Sequence, residues 1–323
     1  MVQLSVVIPC YNEEEVLPEL RRRLVLVCEE ETTSFEIILI DDGSKDGTRE
    51  LMRSFSAEDP RFVSVSLARN HGHQIALTAG LQAARGDRIL FLDADLQDPP
   101  ELLSAMMQKM DEGFDVVYGQ RRARAGETVF KKTTASAFYR LLNRMSDVDI
   151  PVDTGDFRLM SRRVNDVLRD MPEQHRFIRG MITWVGYSQA AIEYDREERF
   201  AGVTKYPFRK MLGFAVDAIT SFSVIPLKIA TWLGFAMGFF SLVVLIYTLV
   251  AWASGAVVAG WTSLMVIVLL IGGAQMVAIG ILGEYIGRLY MQGKERPLYV
   301  LDEIIRAPDA VVEPARFEKA SDG

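Results

Sequence analysis

Five apolar runs in the first 120 residues read as strands: LSVVIP from Leu4, FEIILID from Phe35, FVSVSLA from Phe62, RILFLDA from Arg88 and FDVVYG from Phe114. Between them, Val16–Glu30, Thr48–Phe55, Gln74–Ala84 and Glu101–Met110 repeat apolar residues at helical spacing. Short strands alternating with helices predict an α/β domain whose mostly parallel sheet is covered by helices on both faces. Ligands of such sheets lie beyond the carboxyl ends of the strands.

The pattern changes completely further on. From Ile229 to Gly283 there is no Asp, Glu, Lys or Arg. That run is long enough for two membrane spans of about 20 residues each. Spans are expected at 229–252 and 263–285, parted by SGAVVAGWT. The alternative, a buried helical hairpin of a soluble protein, usually carries a polar stripe that is missing here. Arg209, Lys210 and Lys228 precede the first span, and Arg288, Lys294 and Arg296 follow the second, whereas the connecting turn has no positive charge. Both flanks, and hence both termini, are therefore expected in the cytoplasm.

Just before the first span, Phe208, Met211, Leu212, Ala215, Ile219 and Phe222 recur at helical spacing, apart from Arg209, Lys210, Asp217 and Ser221. This predicts a helix lying in the membrane interface, with an amphipathic helix packed on the domain as the alternative. The expected organisation is a cytoplasmic domain over 1–206, an interfacial helix over 207–228, a transmembrane hairpin over 229–290 and a cytoplasmic C-terminal tail over 291–323. MVQLSVVIPCYNEEE has no basic leader, so no signal peptide is expected. Glu284 and Arg288 stand four residues apart, the spacing of a helix-surface ion pair.

The polar residues gather where the sheet should bind its ligand. The first strand runs into PCYNEEE, the second into DDGSKDGT, the third into ARNHGH and the fourth into DADLQDPP. Each is also ordinary turn chemistry, but four at one sheet edge point to a site. In an extended segment Asp93 and Asp95 would face one way, and their mutual repulsion calls for a divalent cation or full hydration. Mg2+ or Mn2+ takes oxygen ligands of this kind, with the Gln97 amide oxygen as a third and substrate phosphate completing the shell. Pro99 and Pro100 let a new helix start at Glu101. No G-x-G-x-x-G follows the first strand and no G-x-x-x-x-G-K-[ST] is present, which argues against dinucleotide and P-loop enzymes.

Other residue types add less. The net charge of −7 and the lack of a basic arm give no footprint for nucleic acid. The two cysteines, Cys10 and Cys28, are expected to be packed thiols. His71 and His73 make a poor zinc site and are expected to serve in helix capping and hydrogen bonding rather than touch diphosphate or acceptor, while His175 belongs to a helix start.

SVVIPCYNEEE, IDDGSKDGT and LDADLQDPP, in this order and on these strands, resemble the family 2 glycosyltransferases of GT-A fold. The hairpin, with GDFRLMSR, ERFAGVTKY and LGEYIGRLY, narrows the resemblance to polyprenyl-phosphate glycosyltransferases, similar to dolichyl-phosphate mannose synthases and most akin to bactoprenol glucosyltransferases. The resemblance runs to about Arg306. It implies inverting transfer of a sugar from a nucleotide sugar, UDP-glucose first, to undecaprenyl phosphate at the cytoplasmic face of a bacterial inner membrane, with Mg2+ or Mn2+ as cofactor. It implies a nucleoside pocket at Pro9, Tyr11, Asn12, Glu13 and Asp42, with Asp93 and Asp95 at the metal and diphosphate and Gln97 beside them. It places the catalytic carboxylate at Asp156, basic positions facing the acceptor phosphate at Arg121, Arg199 and Lys205, and looser ones at Lys131, Lys132 and Arg158.

A phosphate monoester with a second pKa near 6 is largely dianionic at pH 7 and hardly needs a base. Asp156 is thus open to orienting the acceptor, holding a sugar hydroxyl, pairing with Arg158 or capping the turn after Gly155. A processive polysaccharide synthase would be expected to carry a Q-x-x-R-W motif and more membrane helices. A non-enzymatic scaffold or lipid-transfer subunit is the other rival, weakened by a hairpin without intramembrane charge. A homo-oligomer is compatible with the sequence, which sets no stoichiometry and does not identify the sugar.

Overall fold

The computed structural model describes residues 2–122, 154–195, 223–254 and 260–306. The chain divides into two compact units, one holding the sheet and one holding two long apolar helices.

In the first unit β1 (Leu4–Cys10), β2 (Phe35–Asp41), β3 (Phe62–Leu67), β4 (Arg88–Phe91) and β5 (Val116–Arg121) fall on the five apolar runs. The helices between them are α1 (Leu17–Glu31), α2 (Thr48–Glu58), α3 (His73–Ala83) and α4 (Leu103–Asp111). Beyond them come β6 (Thr154–Ser161), α5 (Arg162–Asp170), α6 (Ile178–Val185), β7 (Gln189–Tyr194) and β8 (Leu301–Arg306). The strand order is β7-β5-β6-β4-β1-β2-β3-β8. β1 pairs parallel with β2 and β4, β2 with β3, and β5 with β7, while β6 and β8 run antiparallel to their neighbours. The sheet is therefore mixed.

Strand alternation sorts the side chains. Leu4, Val6 and Ile8 of β1 join Leu20, Leu24, Phe55 and Met106 in a core on the α1/α2/α4 face. Val7 turns to the other face, where α3 approaches so closely that a Cβ on Gly80 would stand 2.3 Å from Val7 Cγ1 and 2.5 Å from Ile40 Cδ1. Gly80→Ala is expected to cost about 1–3 kcal/mol through overpacking, read as a lower melting temperature of the detergent-solubilised protein. Cys10 and Cys28 are free, buried thiols, as expected. Burial pushes Cys28 up to about 12.

Strand β8 lies within the C-terminal tail expected over 291–323. Leu301–Arg306 covers the free edge of β3, the device by which a sheet blunts an exposed edge. Ion pairs dress it: Arg49–Asp302 at 2.8 Å, Arg53–Glu303 at 2.7 Å and Arg306–Glu36 at 2.7 Å.

The second unit holds α7 (Ile225–Ala253) and α8 (Trp261–Gly293). Their apolar segments, Ile225–Ala251 and Val266–Gly293, are long and apolar enough to cross a membrane. Phe235, Phe239, Leu269 and Leu289 are among many large apolar side chains exposed along them. The helices reach beyond the expected spans, so Ile225–Lys228 continues α7 instead of closing an interfacial helix. The rest of that expected helix, 207–222, lies outside the described residues. Arg288 Nη2 meets Glu284 Oε1 at 3.0 Å, the predicted surface pair.

Candidate active site

The loops after β1, β2 and β3 are tied to one another by their own polar side chains. Asn12 adopts a left-handed backbone (φ 54°), which asparagine tolerates. Its amide donates to Ser44 Oγ at 3.0 Å, and its Oδ1 accepts from the Lys45 amide at 2.8 Å. The Glu13 amide donates to Thr48 Oγ1 at 2.8 Å. Asp42, expected in the nucleoside pocket, accepts the His71 and Gly72 amides at 2.7 and 2.9 Å. Each of its oxygens keeps a second lone pair for a ligand. Pro9 is buried in β1, and Tyr11 stands half-buried at its end.

The acidic segment differs from its expected shape. β4 stops at Phe91, and Asp93–Asp98 forms a turn in which Leu96 takes φ 55°. Asp93 and Asp95 are therefore carried by a turn and not by the alternating faces of a strand. A leucine in this region costs about 1–2 kcal/mol, offset here by burial of its side chain in the core. Asp95 Oδ1 accepts the Gln97 amide at 3.2 Å and closes the turn.

Burial raises Asp93 to about 6; His73 opposes the shift, and Asp156, Asp98 and Asp95 add to it. A divalent cation would relieve that strain, and two carboxylates suit Mg2+ or Mn2+, which take their remaining ligands from water and phosphate. Among the described residues no three His, Cys, Asp or Glu side chains are grouped to hold a metal ion.

Strand β6 separates two polar clusters. Phe157 and Leu159 enter the α1/α4 core, so Asp156 and Arg158 take the opposite face, towards α3 and α6. There Asp156 Oδ2 meets His73 Nε2 at 3.1 Å and Gln74 Nε2 at 3.0 Å, while its Oδ1 accepts Arg179 Nε and Nη2 at 3.2 and 3.0 Å. Gln74 Oε1 accepts the Ile178 amide at 2.9 Å, tying the start of α6 to the same group. Burial works against the charge of Asp156, but Arg179 and His73 hold the carboxyl far below its ordinary range. Burial likewise disfavours imidazolium at His73, yet Asp93, 3.4 Å away, and Asp156 raise it to about 9.

Two expectations change here. His73 hydrogen-bonds as expected, through its ring to Asp156, but the cap position of α3 is Gly72. Asp156 pairs with Arg179 in place of Arg158. Arg158, expected to face the acceptor phosphate, is completely buried, with its guanidinium 5.6 Å from the Tyr118 ring centre and no hydrogen-bond partner among the described residues. Burial, with Arg179 adding to it, lowers Arg158 to about 9.

On the other face Arg121 Nε reaches Tyr194 Oη at 3.2 Å, and its Nη2 lies 3.3 and 3.4 Å from the oxygens of Asp98. Tyr194 Oη also donates to Asp98. Lys131, Lys132, Arg199 and Lys205 lie outside the described residues. Gln74, Arg179, Asp98 and Tyr194 did not stand out in the sequence. Asp98 sits inside the quoted DADLQDPP, but the others lie in α3, α6 and β7 with no motif to mark them.

Residues 5–169 match Glycosyl transferase family 2, and residues 225–289 match the GtrB C-terminal hairpin. Over 305 residues the chain is 48% identical to the uncharacterized glycosyltransferase YkcC of Bacillus subtilis (strain 168), covering 94% of each. It is 40% identical over 309 residues to the prophage bactoprenol glucosyl transferase homolog of Escherichia coli (strain K12), covering 94% of this chain and 99% of that one. The bactoprenol glucosyl transferase of Shigella phage SfV is 39% identical over 304 residues, covering 93% and 98%. With a GT-A sheet, an acidic turn at its ligand edge and an apolar hairpin all inside these matches, the chain is a glycosyltransferase and belongs to glycosyl transferase family 2.

Proposed function

We propose that this enzyme transfers a sugar, glucose in the first instance, from its UDP conjugate to undecaprenyl phosphate at the cytoplasmic face of a bacterial inner membrane, with inversion. The observation that carries this reading is the near-full-length similarity, hairpin included, to relatives named bactoprenol glucosyl transferase. The hairpin crosses the bilayer twice with both termini cytoplasmic. An acceptor anchored in the bilayer then meets its enzyme locally.

Pro9, Tyr11, Asn12, Glu13 and Asp42 line the nucleoside pocket. Asp93 and Asp95, with Gln97 beside them, would hold Mg2+ or Mn2+, which supplies positive charge to the departing diphosphate. In the transfer an acceptor phosphate oxygen bonds to the anomeric carbon, and the bond to the diphosphate breaks with its electron pair leaving on UDP. Arg121 faces the acceptor phosphate, joined by Arg199, Lys205, Lys131 and Lys132, because bringing two anions together requires cations and arginine binds phosphate through two parallel bonds.

Asp156 acts as an anchor and not as a base. Its oxygens already accept four N–H contacts, from His73, Gln74 and Arg179. A carboxylate so stabilised is a weak proton acceptor, and the dianionic phosphate has no proton to give.

Membranes holding the protein, incubated with a panel of radiolabelled nucleotide sugars, are expected to pass label from UDP-glucose into the lipid extract. Release of UDP should need both undecaprenyl phosphate and a divalent metal. Label from a different nucleotide sugar would replace glucose as the donor, and no lipid label from any donor would overturn the reading.

A further inference from the structure

We propose that Asp98 and Tyr194 are positioning residues which hold Arg121 by one edge and present its other edge to the acceptor phosphate. This rests on the assignment of Arg121 to that phosphate and adds the apparatus that aims it.

Asp98 is completely buried, an expensive place for a carboxylate unless it is paired and hydrogen-bonded. Both requirements are met by two groups: the Arg121 guanidinium at 3.3 Å and the Tyr194 hydroxyl. Tyr194 in turn accepts from Arg121 Nε at 3.2 Å, which closes a three-membered ring of hydrogen bonds. Arg121 thus commits Nε and Nη2 inward, and Nη1 has no partner among the described residues. A planar fork fixed along one side leaves its remaining N–H groups in a set direction, the condition for recognising a phosphate by geometry as well as by charge.

The backbone around the ring is cut to fit it. A Cβ on Gly155 would stand 2.6 Å from Arg121 Nη2 and 3.4 Å from Asp98 Oδ2. A Cβ on Gly119 would stand 2.8 Å from Tyr194 Cε1 and from Phe157 Cδ1. The Tyr194 ring packs edge-on against Phe157, with centres 6.0 Å apart. Gly155 immediately precedes Asp156, so the backbone clearance for one cluster is coupled to the placement of the other. Asp98 also belongs to the turn that carries Asp93 and Asp95, so a single loop contacts both the cationic strand β5 and His73.

The experiment uses the full chain, undecaprenyl phosphate and the UDP-sugar that labels lipid. Asp98→Asn and Tyr194→Phe are each expected to raise the KM for undecaprenyl phosphate about tenfold, the size of one hydrogen bond to a charged group. The KM for the UDP-sugar should stay within about twofold. In an Arg121→Ala background neither substitution should raise the acceptor KM further, because the group they aim is gone.

If Arg121→Ala raises the acceptor KM while Asp98→Asn and Tyr194→Phe do not, the positioning role is overturned and the assignment of Arg121 stands. If Arg121→Ala leaves it unchanged, both fall. A rise confined to the donor KM, or an equal rise for both substrates with a lower melting temperature, also overturns the proposal. Tyr194→Phe keeps the ring against Phe157 and guards against a loss of folding at buried Asp98.

Discussion

Replacing Asp93 and Asp95 together by asparagine is expected to reduce glycolipid formation at least about a thousandfold, the scale of losing the electrostatic stabilisation of a leaving group. Asparagine keeps the shape of the turn and removes both charges. Burial raises Asp93 to about 6, and the neighbouring carboxylates Asp156, Asp98 and Asp95 add to the shift against the opposing His73. Relieving that repulsion should leave the melting temperature unchanged or higher, which separates lost chemistry from lost folding. Chelation of divalent metal should reproduce the deficit in the parent protein and add nothing in the double variant. Transfer and metal affinity that survive the two substitutions would remove the acidic turn from the reaction.

Asp156→Asn is expected to lower turnover by about a hundredfold or more and to destabilise the fold by about 3–5 kcal/mol, the range for removing one partner of a buried ion pair. The Asp156 and Arg179 side chains are 11% and 16% exposed, so solvent does little to compensate. An asparagine amide has one accepting oxygen where the carboxylate had two, and its NH2 would confront donors from His73, Gln74 or Arg179. His73, Arg179 and the buried Arg158 would lose their shared counter-charge. An anchor and a base differ in pH behaviour. With an anchor lost, the deficit persists above about pH 7, where the acceptor phosphate is dianionic; recovery of rate there would restore Asp156 as a proton acceptor. Near-parental turnover throughout would take it out of the mechanism.

Much of the fold was legible because β1 to β5 are buried runs of Val, Ile, Leu and Phe bounded by turn residues. The hairpin was legible for a similar reason, since 55 residues without charge admit few other structures. β6, β7 and β8 were not. β6 reads TGDFRLMS, with Asp156 and Arg158 on the face that serves the site, so its polar face hides the strand. β8 reads LDEIIR and earns its place only by covering the edge of β3 and pairing with Arg49, Arg53 and Glu36.

Local pattern determined the order of strands and helices, the two apolar helices and the collection of Asp, Asn and Gly at one sheet edge, because each depends on neighbours a few residues away. Tertiary structure decided which charges meet. Arg179 and not Arg158 reaches Asp156, His73 joins it from the first turn of α3, and Asp98 rather than solvent holds Arg121, across separations of 23 to 96 residues. The energy of a buried ion depends on what the folded chain brings within hydrogen-bond reach, and spacing along the sequence carries no record of that distance.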